Sequence, residues 1–255
     1  MRSKYLLVTP SLNGGGAEKI LLFVANALAV NNEVTVISYL SGDVANLDSS
    51  ISLNILDNKY QDRKILGKLL RMWQIRKYIR NQNVNCVIGF GPEFAIICVL
   101  SALFTKTKVL TSERRSPEDL SIYWRFIAKI AYSLSDGVVF QLDQVRDYFN
   151  LRKDKVAVIP NPYFQQKIDE SEVLRFEKRN KIIISAAARL NELEKGIDVL
   201  CDAFLNLTNL FPDYQLHIYG EDRNDELKIR YQQFSKKIYF FERDPDIVLK
   251  INRCV

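Results

Sequence analysis

Arg189 and Lys195 stand between a short apolar run, Ile182 to Ala186, and an amphipathic segment that opens near Ile197. Arginine offers a planar fork of donors and lysine a compact charge on a flexible stem, so the pair suits a diphosphate better than a single phosphate. In open α/β sheets ligands sit beyond the carboxyl ends of the strands, where backbone N–H groups and helix dipoles favour negative charge. A second place of this kind is Gly14-Gly15-Gly16-Ala17-Glu18-Lys19, between the strand-like run Tyr5 to Thr9 and a helix to about Val30. Glycines there let the backbone approach a bulky anion. A third is Glu113-Arg114 at the end of the expected strand Lys108 to Ser112. Its carboxylate could orient a hydroxyl and its guanidinium could hold a phosphate. Each has a plainer reading: a βα connection with two solvated cations, a tight turn, and a capping loop.

The elements that must position these residues alternate between buried strands and amphipathic helices, the pattern of a parallel α/β sheet. Strands are expected at Tyr5 to Thr9, Glu33 to Tyr39, weakly at Ile51 to Leu56, and at Asn85 to Phe90, Lys108 to Ser112 and Ser135 to Phe140. A second set comprises Lys181 to Ala186, Tyr214 to Tyr219 and Ile238 to Phe241, with helices at Ile197 to Leu207 and Asp225 to Ser235. His217 alternates within its strand and reads as a packed core residue. Val156 to Pro162 reads as an extended connector, and the prolines flanking Asn161 restrict it as a hinge would be restricted. The glycine loop lacks Gly-x-Gly-x-x-Gly spacing, and Glu33 to Tyr39 ends without an acid for a ribose, which disfavours a nicotinamide oxidoreductase.

One helix, from about Asp62 to Asn81, interleaves Arg63, Lys64, Lys68, Arg71, Arg76, Lys77 and Arg80 with Ile65, Leu69, Met72, Ile75 and Ile79, with Trp73 near its middle. Its composition fits a helix lying on an anionic membrane, with Arg71, Trp73, Arg76 and Lys77 facing lipid or acceptor, and equally a packed helix with a solvated basic face.

The chain of 255 residues carries a formal charge of +6, which calls for an anionic partner. Its hydrophobic fraction of 47% is that of a soluble globular protein. The longest apolar run, Phe94 to Phe104, falls well short of the ~20 residues that span a bilayer. Cys86, Cys98, Cys201 and Cys254 are scattered and His217 is the only histidine, so a zinc site and a Ser-His-Asp or Cys-His set are not expected, and a reducing, cytoplasmic setting is. No nucleic-acid motif accompanies the charge.

Several segments resemble family 4 glycosyltransferases. They are Gly14 to Lys19; Thr111-Ser112-Glu113-Arg114-Arg115-Ser116-Pro117, with Arg115-Ser116 where Asn-Asp is usual; Ser135-Asp136-Gly137-Val138-Val139; Ile159-Pro160-Asn161-Pro162; Ala188-Arg189-Leu190 with Lys195 to Leu200 and Ala203-Phe204; and Gly220-Glu221-Asp222. The resemblance implies the GT-B fold, with an N-terminal Rossmann-like acceptor-side domain over 1–160 and an incomplete Rossmann-like donor domain over 161–255. It implies retaining transfer of a sugar from a nucleotide-diphosphate donor, UDP-sugar favoured, to a lipid-linked or polysaccharide acceptor in O-antigen or capsule assembly. The expected setting is the inner face of the plasma membrane, with an anionic surface as partner and neither cofactor nor metal.

By the same resemblance Gly14, Gly15, Gly16, Arg189 and Lys195 hold the donor phosphates, and Glu113, Arg189 and Lys195 are catalytic. Arg114, Arg71, Trp73, Arg76 and Lys77 face the acceptor or membrane. The family's later acidic pair has no counterpart, and Ile247 to Ile251 runs on without a helix stop, so a shortened relative is expected. The alternative is an inactive fragment or a partner-dependent binding subunit.

Overall fold

The computed structural model describes residues 2–12, 15–40, 47–56, 64–162, 181–187, 195–220 and 225–242, with backbone alone for 64–65 and 181–187. The chain forms two compact units, Met1–Tyr163 and Phe164–Val255.

The first unit is built on β1 (Lys4–Thr9), α1 (Gly16–Ala29), β2 (Glu33–Ser38), β3 (Ser52–Ile55), α2 (Lys64–Gln82), β4 (Cys86–Phe90), α3 (Pro92–Ala102), β5 (Lys108–Ser112), α4 (Ile122–Leu134), β6 (Gly137–Phe140), α5 (Asp143–Phe149) and β7 (Val156–Val158). The strands form one parallel sheet in the order β3-β2-β1-β4-β5-β6-β7. β1 is apolar on both faces because both are covered. Leu6 and Val8 pack with Ile75 and Ile79 of α2 and Phe94 of α3. Leu7, pointing the other way, packs with Ile20, Leu21 and Ala25 of α1.

Further along the sheet, α4 and α5 meet β6 through Tyr132, Phe140 and Phe149, three buried rings with centroids 5.1–6.0 Å apart. At Gly89 the backbone of β4 touches α3. An added Cβ would lie 2.8 Å from the Phe94 carbonyl oxygen and 3.0 Å from Cys98 Sγ.

In the second unit β8 (Lys181–Ala187), α6 (Ile197–Leu207), β9 (Tyr214–Tyr219), α7 (Glu226–Arg230) and β10 (Ile238–Phe241) form a parallel sheet in the order β10-β9-β8. Its core joins Ile197, Cys201 and Phe204 of α6 to Leu216, Ile218, Tyr231 and Ile238. His217 is half-buried between Tyr239 and Phe241, and burial lowers its pKa. Cys86, Cys98 and Cys201 are buried free thiols; burial raises all three, Cys86 to about 11.

Two expectations need correction. The connector at Val156 begins as a seventh strand, paired with β6. The helix expected over Asp225 to Ser235 breaks at Tyr231 and resumes as a 3-10 turn, Gln232–Phe234. Tyr231 is buried, and its hydroxyl donates to Asp202 Oδ1 at 2.7 Å, with the Asp198 carbonyl oxygen 3.1 Å away. Anchoring that side chain on α6 outweighs continuation of a short helix. The charged crossover of 164–179, Gly14, Arg189, the Glu221-Asp222 turn, Cys254 and the final apolar segment lie outside the described residues.

Candidate functional site

The order of the first sheet reverses between β1 and β4, and the loops leaving the carboxyl ends of the strands on either side of such a point are where an α/β sheet takes its ligands. These loops start at Pro10, Gly91 and Glu113. Gly91 adopts φ +80°, a left-handed value that suits glycine, and its N–H donates to the Ser112 carbonyl at 2.8 Å. The exits of β4 and β5 are thereby tied together.

Glu113 does not face this edge as a free carboxylate. It is only 1% exposed. Oε1 accepts the N–H groups of Arg114 and Arg115 at 2.7 and 2.9 Å, and Oε2 accepts the Tyr132 hydroxyl at 2.5 Å. Burial, reinforced by this carboxylate, drives the Tyr132 phenol far above its ordinary pKa, so it remains a donor. Three donors thus bind the Glu113 carboxylate, two of them the backbone N–H groups of the loop that carries Arg114.

Arg114 is the group this loop presents. Its guanidinium lies 5.2 Å from the centre of the Phe90 ring, and Nη1 donates to Asn161 Oδ1, which also accepts from Gln141 Nε2 at 3.1 Å. Its Nε is buried without a partner, and burial lowers the pKa of the guanidinium against the pull of Glu113. Ser112 Oγ, Thr111 Oγ1 and Tyr39 OH are also buried and unpartnered. Tyr39 follows the end of β2, and Thr111 and Ser112 end β5, where their side chains point to opposite faces of the sheet.

Gly15 caps α1, and its N–H donates to Glu18 Oε2 at 2.8 Å, while Ser11 Oγ donates to Glu18 Oε1. The chain's own carboxylate occupies the place that a phosphate was expected to take on Gly15. A Cβ on Gly16 would meet nothing within 4 Å, so no contact among the described residues requires glycine there. In the second unit Lys195 is exposed beside Gly196, which caps α6 in the left-handed conformation at φ +60°. That places a solvated cation at the N-terminus of an 11-residue helix.

The four residues expected to face acceptor or membrane from α2 divide. Arg76 Nη1 donates to the carbonyls of Ser101 and Leu103 at 3.1 and 2.7 Å, so it closes the end of α3. Arg71 lies 4.5 Å from the centre of the Tyr39 ring. Both are held against their own unit. Trp73 remains exposed, with Lys77 over its ring at 5.4 Å.

Tyr132, Gln141 and Asn161 were not legible as partners of Glu113 and Arg114, because pairs far apart in sequence carry no local signal. Glu18 was: a glycine followed three residues later by glutamate at a helix start is half a capping box. Asp136, in the small-Asp-x-Val-Val segment, accepts from Val109 N–H at 2.9 Å and from Lys108 Nζ at 2.8 Å, fastening β5 to β6.

No family model matches the chain. It is 26% identical over 253 residues to the GalNAc-alpha-(1->4)-GalNAc-alpha-(1->3)-diNAcBac-PP-undecaprenol alpha-1,4-N-acetyl-D-galactosaminyltransferase of Campylobacter jejuni, covering 95% of this chain and 68% of that protein. Among solved structures it resembles Anabaena HepE in complex with UDP and glucose, with a TM-score of 0.75 at 16% identity over 99% of this chain and 73% of that one. It also resembles the lipopolysaccharide outer core galactosyltransferase WaaB, with a TM-score of 0.66 at 12% identity over 98% and 71% of the two chains. At these identities the structural likeness is one of fold.

Proposed function

We propose that this chain, a glycosyltransferase of the GT-B type, moves a sugar from a UDP-sugar to a lipid-linked glycan in cell-surface glycan assembly, with retention at the anomeric carbon, at the inner face of the plasma membrane. The observation that carries this reading is the alignment along 95% of the chain with a transferase whose name specifies an undecaprenol-linked acceptor. The fold shared with a UDP-bound structure supports the donor class.

Negative charge develops on the departing diphosphate, where fixed cations accelerate transfer most. Lys195, at the helix N-terminus of the second unit, and Arg189 take that role. Gly14 and Gly16 belong to the donor loop, and the open space beside Gly16 leaves room for a ligand. Gly15 contributes only when Glu18 releases its N–H. Arg114, with a spare buried donor, takes an anionic or hydroxyl-rich part of the acceptor. Glu113 keeps that loop in shape.

The test is thermal unfolding of the purified chain with a panel of UDP-sugars and GDP-sugars, followed by transfer to polyprenyl-diphosphate-linked glycans. Ligand at ~100 times its Kd stabilises by about 2.7 kcal/mol. A donor-specific rise in midpoint, lost in Arg189→Ala/Lys195→Ala, is expected. No shift with any nucleotide sugar would refute donor binding, and a shift without transfer would leave a binding subunit.

A further inference from the structure

We propose that Asn161, held by Gln141, is a positioning residue for the acceptor: its side-chain oxygen fixes the Arg114 guanidinium without cancelling its charge, so that Nη2 meets a phosphate of a diphosphate-linked glycan. The inference rests on the reading of Arg114 as an acceptor contact, and names the groups that set its direction and the ligand class it takes.

The backbone presents Asn161 stiffly. Ile159 N–H donates to the Phe140 carbonyl at 2.8 Å, which carries the pairing of β7 with β6 past Val158. Pro160 and Pro162 then flank Asn161, each fixing its own φ and narrowing the residue before it. A side chain on such a backbone forfeits little freedom when it is bonded. Asn161 Oδ1 accepts from two strand exits: Arg114 Nη1 beyond β5, and Gln141 Nε2, at 3.1 Å, beyond β6. An amide oxygen has two lone pairs, so these donors fill it. The Arg114 guanidinium also lies 5.2 Å from the centre of the Phe90 ring, at the end of β4. A long side chain is thereby held at Nη1 and on one face. Nη2 makes no hydrogen bond among the described residues and, unlike Nε, is not buried.

The residue types select an anion. Asparagine accepts the arginine's hydrogen bond without a charge of its own, whereas aspartate in its place would pair with Arg114 and neutralise it. The neighbouring carboxylate, Glu113, is buried against Tyr132 and bound by three donors, while Arg114 turns to the other side of the chain, toward Phe90. Glu118 and Asp119 stand exposed in the 3-10 turn that begins at Pro117, and Arg115 is exposed next to Arg114. None of the groups that touch the guanidinium is charged, so its positive charge is kept for a ligand. A phosphate oxygen gains from that charge, and a neutral hydroxyl does not. A device that merely tied the connector to the sheet would work at least as well with aspartate, because a charged acceptor bonds more strongly.

The test is calorimetric titration of the full chain with a short-chain, water-soluble prenyl-diphosphate-linked glycan, which needs no turnover, beside urea unfolding of the same proteins. Asn161→Asp should weaken binding about tenfold, while its urea midpoint stays at or above the native value. Arg114→Gln should weaken binding at least as much. Asn161→Ala should weaken it about three- to tenfold by freeing the guanidinium. Added to Arg114→Gln it should cost nothing further, because it acts through that side chain. Native-strength binding by Asn161→Asp, a further loss in the combined variant, or no binding by the native chain overturns the proposal. The UDP-sugar unfolding shift, measured on the same proteins, separates this from the donor reading. A shift beside unchanged Asn161→Asp binding overturns the positioning role alone, and its absence beside the expected losses overturns donor binding alone.

Discussion

Replacing Tyr132 by phenylalanine isolates the contact that assigns Glu113 its role. The ring would stay between Phe140 and Phe149, with centroids at 6.0 and 5.1 Å, so no cavity opens. What is lost is one hydrogen bond at 2.5 Å to a carboxylate with 1% exposure. A bond to a charged acceptor contributes about 1.5–3 kcal/mol, and a buried oxygen left without its donor keeps the cost near the upper end. A loss of about 2–3 kcal/mol is therefore expected, a fall in midpoint of about 4–12 °C. Both tryptophans, Trp73 and Trp124, lie in the first unit, so fluorescence in a urea titration follows that unit alone. Glu113→Gln is the companion: its amide oxygen can accept from Arg114 and Arg115 while its NH₂ donates to the phenol oxygen, so it should cost about 1 kcal/mol. A Tyr132→Phe loss under about 0.5 kcal/mol would mean that the phenol does not hold the carboxylate. Folded Glu113→Gln that binds donor but transfers no sugar would restore Glu113 to the chemistry.

Gly89→Ala places a Cβ 2.8 Å from a backbone oxygen of α3, which cannot move as a side-chain tip can, so a loss of about 1–3 kcal/mol in the same titration is expected, and a neutral result would refute that close approach. Asp136 is held below the ordinary carboxylate range: burial opposes this, but the Lys108 ammonium and the Val109 N–H outweigh it. Because its folded pKa lies below the unfolded value near 3.9, its contribution is present above about pH 4 and fades as the pH falls through the folded pKa. Urea midpoints from pH 7 down to 3 should fall less steeply for Asp136→Asn than for the native chain, and parallel curves would refute the linkage.

The local pattern is written in the order of the residues alone. Residues alternating between two buried faces, as in β1, and apolar positions one turn apart, as in α1, are written in runs of a few residues, because each element must bury a face of its own period. The same holds for the cations before α6 and the glycines before α1, since helix starts are local devices. The tertiary structure decided which of these groups remained available. Glu113 meets Tyr132 across 19 residues and Arg114 meets Asn161 across 47, so whether the carboxylate or the guanidinium is free depends on where β6 and β7 lie beside β5. Arg76 and Lys77 are adjacent and alike in sequence, yet one closes the end of α3 and the other stays in solvent. Charge and hydrophobicity are properties of residues, whereas desolvation and pairing are properties of neighbours, and only the packed chain supplies those.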